Sequence, residues 1–228
     1  MSFGVRLKVW SEFACFSRPE MKVERVSYDV ITPSAARGVI EAIYWKPQMR
    51  WVIDRLHVLR PIRFTSIRRN EVGTKIPATT AARAMKSGKG DLGLYIEAER
   101  QQRAGLILRD VAYVIEAHFD LLGGDDNEAK HLDQFNRRAR DGQCFRRPYL
   151  GLREHAADFE LMEPGQLLPS PDESLLGERA LGWMLHDIEY AKGENYRMRR
   201  PIGPRFFHAT MRDGVIHVPP IGSAEVRA

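Results

Sequence analysis

A chain of 228 residues with 43% hydrophobic side chains is long enough to bury a real core, as one large domain or two modest ones, which excludes wholesale disorder. Its 35 lysines and arginines against 30 acids give a net charge of +5 and an isoelectric point near 9.3, a balance that permits a polyanionic partner without demanding one. Cys15 and Cys144 lie too far apart for a zinc or CxxC spacing, no P-loop, GxGxxG or HExxH is present, and no apolar run approaches the roughly 20 residues that span a membrane, so the expectation is a cytoplasmic protein with no metal, no cofactor and no membrane partner.

The first residues, Met1 to Arg6, lack the apolar core of a signal peptide. Val5, Leu7 and Val9 alternate with Arg6, Lys8 and Trp10, the pattern of a half-buried strand. Thr32 and Pro33 make an N-cap and a first helical position for a helix through Ala35, Val39, Ile40 and Ile43. Pro47 biases Lys46 away from helical geometry, which ends that helix near Tyr44 and Trp45. Strand pattern resumes from Met49 to Phe64, interrupted around Arg55 and at Pro61. Residues 66–92, polar, basic and rich in Gly, Thr and Lys, read as a long mobile excursion between strands. From Leu106 to Leu121 the pattern is strand again, with Tyr113, Ile115, Ala117 and Phe119 toward the core and Val114, Glu116, His118 and Asp120 opposite. This order fits a ferredoxin-like or RRM-like sheet with a helix on one face; the second helix of that unit is either Pro77–Met85 or is replaced by the loop.

Asp125-Asp126-Asn127-Glu128-Ala129-Lys130-His131 leads into an amphipathic helix through Ala129, Leu132, Phe135 and Ala139, capped by Asp126 or Asn127 and stopped by Gly142. Lys130 and His131 therefore sit at a helix start, where free N–H groups and the dipole favour an anion, and a cation beside an imidazole suggests phosphate chemistry. Taken alone, the segment reads more simply as a solvated cap; a hard-metal site from Asp125, Asp126 and Glu128 is a distant alternative. Beyond it, segments 143–150, 152–162, 179–190 and 204–218 look strand-like, Asp213-Gly214 signals a hairpin, and Glu163 to Gly177 should be irregular. His208 and His217 would face each other across that hairpin. The layout expected is α+β: an RRM-like N-terminal domain over 1–122 and a smaller antiparallel β-rich region, with its leading helix, over 123–228. Three arginine groups point together toward nucleic acid: Arg60, Arg63, Arg68 and Arg69; Arg137, Arg138, Arg140, Arg146 and Arg147; and Arg197, Arg199, Arg200 and Arg205.

Several ordered segments carry a resemblance. They are Phe13-Ala14-Cys15-Phe16-Ser17-Arg18-Pro19-Glu20-Met21-Lys22, Tyr28-Asp29-Val30, Ala35-Ala36-Arg37-Gly38, Ile43-Tyr44-Trp45-Lys46-Pro47 and Val52-Ile53-Asp54. Leu59-Arg60-Pro61-Ile62, Arg68-Arg69-Asn70-Glu71-Val72, Glu116-Ala117-His118-Phe119 and Asn127-Glu128-Ala129-Lys130-His131 follow. In this order the chain resembles the CRISPR-associated endoribonucleases of type I-C (Dvulg-subtype) systems, members of the RAMP superfamily. The resemblance implies metal-independent cleavage of the repeat hairpin in precursor CRISPR RNA. It further implies retention of the mature 5′ handle within the Cascade complex beside its backbone and large subunits, and it admits loose binding of double-stranded DNA. The family's catalytic residues fall on Tyr44, Lys130 and His131. RNA contacts are expected from Arg60, Arg63, Arg68, Arg69, Arg137, Arg138, Arg146 and Arg147, with Arg18, Lys22 and Arg25 as further candidates. One departure is the glycine-rich C-terminal loop of many RAMP proteins, for which Gly123-Gly124 and Gly142 are weak substitutes.

RNA brings its own nucleophile, the 2′-OH, which needs deprotonation, alignment and stabilisation of charge on phosphorus. In the expected mechanism His131 is the base, Lys130 meets the phosphorane charge, and Tyr44 orients the 2′-OH or protonates the 5′-oxygen, with Tyr and His exchangeable in role. The products would be a 2′,3′-cyclic phosphate and a 5′-OH. The alternative is a non-catalytic scaffold that holds a handle cut by another protein.

Overall fold

The computed structural model describes residues 4–21, 23–90, 92–122, 127–190 and 201–228. Its helices are α1 (Pro33–Ile43), α2 (Ala78–Ser87), α3 (Ile96–Glu99) and α4 (Glu128–Arg140). The long strands are β1 (Gly4–Ala14), β3 (Met49–Val58), β4 (Phe64–Val72), β5 (Arg100–Leu121), β7 (Glu178–Tyr190) and β8 (Pro201–Arg212). Shorter ones are β2 (Arg25–Val26), β6 (Asp158–Leu161), β9 (Val215–His217) and β10 (Val226–Arg227). These join one sheet in the order β10-β8-β9-β3-β5-β1-β6, with β2 and β4 also on β5 and β7 on β8.

Within it, β6-β1-β5-β3 in the chain order β1-α1-β3-β5-α4-β6 is the ferredoxin-like βαββαβ arrangement. The boundary expected between 122 and 123 falls inside this unit, because α4 and β6 supply its second helix and an edge strand. Periodicity hid that role: only His131, Phe135 and Ala139 of α4 are buried, while Ala129, expected on the apolar stripe, is exposed. The candidate helix at Pro77–Met85 does exist as α2, but it buries no residue and packs on no face of the sheet.

Local sequence accounts for α1. The Thr32 hydroxyl accepts from Ala35 N–H, Pro33 sits in the first turn, and Ala36, Val39, Ile40 and Ile43 face inward. The helix lies against β3 on one side and β7 on the other. Its Arg37 guanidinium donates to both Asp187 oxygens, at 2.7 and 2.9 Å, and to Glu41 at 2.7 Å, tying α1 to the C-terminal hairpin. The interruption expected at Arg55 is a register shift between Ile53 and Arg55 in the β3–β5 ladder.

The expected mobile excursion is largely ordered differently. Residues 64–72 pair with 100–108 from Phe64↔Leu108 to Val72↔Arg100, forming a long two-stranded arm that carries α2 and α3 at its tip. Alternately exposed and half-buried along its length, β4 has no core face to betray it as a strand. Downstream, 143–150 contributes no strand, and Tyr149 makes only an isolated bridge to Ala156. The Asp213-Gly214 turn links β8 to β9 with positive φ at both residues (48° and 77°), as a tight hairpin requires. His208 meets the Trp183 ring edge-on at 5.9 Å, and His217 pairs in register with Arg55, so the two histidines do not face each other. One core runs through these parts, including Leu7, Ile40, Trp51, Tyr113, Phe135, Phe207 and Ile216. No helix among the described residues is long and apolar enough to cross a membrane.

Candidate active site

Tyr44 closes α1 in extended geometry (φ −152°, ψ 127°), its N–H still donating to the Ile40 carbonyl. Its own carbonyl accepts from Trp51 Nε1 at 2.9 Å, and the Trp51 ring is packed at 5.2 Å from Phe119 and 5.0 Å from Phe135. Arg138, from the last turns of α4, donates to the Ile43 carbonyl at 3.0 Å and lies over the Tyr44 ring at 5.4 Å. The Ala42 carbonyl accepts from Phe145 N–H and Arg146 N–H, at 2.8 and 3.3 Å. Three consecutive carbonyls at the end of α1 are thus claimed by side chains or backbone from elsewhere, which fixes where Tyr44 stands.

His131 comes from the first turns of α4, whose N-cap Asn127 accepts from Ala129 N–H at 2.9 Å and Lys130 N–H at 3.4 Å. Those are two of the amides on which the anion-binding reading of this helix start relied, and the cap already uses them. The His131 ring sits 6.1 Å from the Phe119 ring, and its Nδ1 lies 2.8 Å from the Tyr44 hydroxyl. Tyr44 and His131 are each only 3% exposed, whereas Lys130 is exposed. Two side chains 87 residues apart therefore share one short hydrogen bond with a cation next along the helix. Such a pair can hold one proton between a phenol and an imidazole, and can pass or accept it.

Most of the arginines expected to contact RNA hold carboxylates. Arg18 pairs with Asp29 at 3.3 Å and lies over Tyr28 at 4.5 Å. Arg25 and Arg103 share Glu71, and the Arg25 hydrogen bond holds the Glu71 carboxyl below its ordinary pKa. Arg60 pairs with Asp110, Arg69 with Glu154 and Arg147 with Asp158. Arg137 lies 3.8 Å from Asp141. The exposed pairs among these, Arg60–Asp110, Arg137–Asp141 and Arg147–Asp158, are worth at most about 1 kcal/mol each, so a phosphate can replace their carboxylates. Arg63, Arg68 and Arg146 are exposed and hold no carboxylate among the described residues, while Arg138 braces Tyr44. Lys22, Gly123, Gly124, Asp125, Asp126, Arg197, Arg199 and Arg200 lie outside the described residues. Among the described residues no three His, Cys, Asp or Glu side chains converge as a metal site. Sequence pattern gave no sign of the bracing role of Trp51, because a tryptophan in a strand reads as core wherever its N–H goes.

Comparison with known proteins places the chain in a family. A family model for Cas5d, described as CRISPR-associated protein (Cas_Cas5), matches residues 4–219. The chain is 51% identical over 235 residues to a protein of Mannheimia succiniciproducens named CRISPR pre-crRNA endoribonuclease Cas5d, with 100% of both chains covered. It is 41% identical over 227 residues to a protein of the same name from Thermus thermophilus, covering 94% of this chain and 91% of that one. A solved CRISPR-associated protein superposes with a TM-score of 0.68 at 22% identity, over 99% of this chain and 96% of the other, a likeness of fold. The chain belongs to the Cas5d family of CRISPR-associated proteins.

Proposed function

We propose that this protein is an endoribonuclease that cuts the repeat hairpins of precursor CRISPR RNA, keeps the 5′ handle, and then serves as a subunit of a type I-C Cascade complex. The observation that carries the reading is the 2.8 Å bond between the Tyr44 hydroxyl and His131 Nδ1, in a chain half identical to a protein named for this activity. Tyr44, Lys130 and His131 are the residues assigned to the reaction. The ribose 2′-oxygen attacks phosphorus, its proton passes to one member of the Tyr44–His131 pair, and the P–O5′ bond breaks as the 5′-oxygen takes a proton from the other. Lys130, exposed beside His131, meets the charge that builds on the phosphorane oxygens. No step calls for a metal. Because both members of the pair are buried, the RNA must exchange its ribose for the Tyr44–His131 contact as it binds.

Arg63, Arg68 and Arg146 supply phosphate contacts, and the arm formed by β4 and the first half of β5 extends that basic surface, whose charge also suits loose binding of double-stranded DNA. The burial of Tyr44 and His131 also favours a second reading, in which the bond is structural and the protein is a scaffold for a handle cut elsewhere. Cleavage of a labelled repeat hairpin in excess EDTA, beside His131→Ala, separates them. A single cut leaving a cyclic phosphate, lost in the variant, is the expected result. Tight binding without cutting would sink the catalytic reading and leave the scaffold.

A further inference from the structure

Phe145 is 85% exposed. Exposure alone says little about a single apolar side chain; its seating and neighbours say more. The backbone at this residue is held firmly, since Phe145 N–H and Arg146 N–H both donate to the Ala42 carbonyl, two residues before Tyr44. The following carbonyls, Ile43 and Tyr44, are bound by Arg138 and Trp51. The ring is therefore held out to solvent at a fixed place beside the candidate active site, by contacts that do not involve the ring.

The surroundings identify what would cover it. Along the chain on either side, Asp141, Gln143, Arg146 and Arg147 are exposed and polar, so these described neighbours add no exposed apolar surface of the kind a protein partner would bury. Arg146 holds no carboxylate among the described residues, and Arg147 has an exchangeable one in Asp158. A lone exposed aromatic followed along the chain by two exposed arginines matches a nucleotide: the ring meets the face of a base, and the cations meet its phosphate.

We propose that Phe145 stacks on an unpaired base adjacent to the scissile phosphate, with Arg146 on the neighbouring phosphate, and so positions the RNA for cleavage. This rests on the RNA-cleaving reading above. The test uses the full chain and repeat-hairpin RNA under single-turnover conditions, with Phe145→Ala, Phe145→Leu and Phe145→Trp. A substrate series carries one abasic nucleotide at each unpaired position flanking the stem. Phe145→Ala should lower cleavage efficiency about 5- to 150-fold, the range for loss of one stacked base. Phe145→Leu should lose nearly as much and Phe145→Trp should recover it. One abasic position should cost the wild-type protein a similar factor and cost Phe145→Ala nothing more.

If the wild-type protein cuts and Phe145→Ala cuts equally well, or if its loss multiplies fully with every abasic substitution, the stacking role is overturned while the nuclease reading stands. If Phe145→Ala cuts normally but no longer joins the other subunits, the ring is a protein contact and the proposal is likewise overturned. A wild-type protein that does not cut the hairpin overturns both.

Discussion

Tyr44→Phe removes one oxygen atom and little else. The ring remains beneath Arg138, and the backbone stays pinned because Trp51 binds the Tyr44 carbonyl rather than its side chain. What disappears is the 2.8 Å bond to His131 Nδ1, on an imidazole that is 3% exposed. Removing one partner of a buried hydrogen bond costs about 1–3 kcal/mol. For a chain of this size each kcal/mol moves the melting temperature by about 2–4 °C, so the variant should melt about 2–12 °C lower. If the hydroxyl also positions or protonates an oxygen of the substrate, cleavage should fall by about 10²- to 10⁴-fold, far more than the stability change implies at a temperature where both proteins are folded. Thermal denaturation and single-turnover cleavage of the hairpin, run on one preparation, measure both. A lower melting temperature with cleavage within threefold of wild type would refute the catalytic assignment of Tyr44, and an unchanged melting temperature would show that the bond adds no stability.

Two glycines should respond in opposite directions. A Cβ on Gly151 would collide with the Cys15 carbonyl oxygen at φ +85°, so Gly151→Ala should lose more than the roughly 1–3 kcal/mol of left-handed backbone strain. Gly38, mid-helix with nothing within 4 Å of an added Cβ, should gain roughly 0.5–1 kcal/mol as Ala, a rise of about 1–4 °C; melts of both variants decide it. Burial holds the His155 and His186 imidazoles below the ordinary value of 6.5, and His186 donates Nε2–H to the Pro219 carbonyl while Nδ1 has no partner among the described residues. Unfolding lets both protonate at that ordinary value, so their stability is fully present above pH 6.5 and is lost as pH falls toward the depressed folded values. Urea unfolding at pH 7.5 and 5.5 should show a loss on acidification, at most about 1.4 kcal/mol per pH unit per group, reduced in His186→Gln; an identical loss in the variant would refute this account. Arg68→Gln should reduce the salt slope of RNA binding by about 1 without changing where the RNA is cut, and an unaltered slope would remove Arg68 from the interface.

What could be read from the sequence was local. Thr32-Pro33 sets the start of α1, Pro47 its end and Asp213-Gly214 the turn from β8 to β9, because each signal lies within a few residues of its effect. The arm escaped because a strand with one exposed face and one only half-buried face carries no clean alternation of apolar and polar residues. The place of α4 in the ferredoxin-like unit escaped because one of its three buried positions is a histidine. Tyr44 and His131 were paired through family likeness rather than pattern, since no spacing rule joins residues on different helices. The carboxylate partners of the arginines were invisible for the same reason: composition counts cations, whereas Asp29, Glu71, Asp110, Glu154 and Asp158 are brought to them by the fold.

The 22-residue β5 belongs at once to the arm and to the sheet beneath the candidate site. Its first half pairs with β4 and its second with β3, and the changeover lies at Asp110, whose φ of 55° bends the strand between the two. Nine residues of β4 carry the arm out by about 30 Å. The arm is therefore a lever cut from the same beam that bears Phe119, the neighbour of the His131 ring. The arm is continuous with the site's sheet through covalent backbone that changes direction at Asp110, and it is tied back to the body by Arg25–Glu71 and Arg69–Glu154. Its length is also quantised: two residues added to each strand lengthen it by about 7 Å and keep every side chain on its face, whereas one residue turns the whole outer segment over.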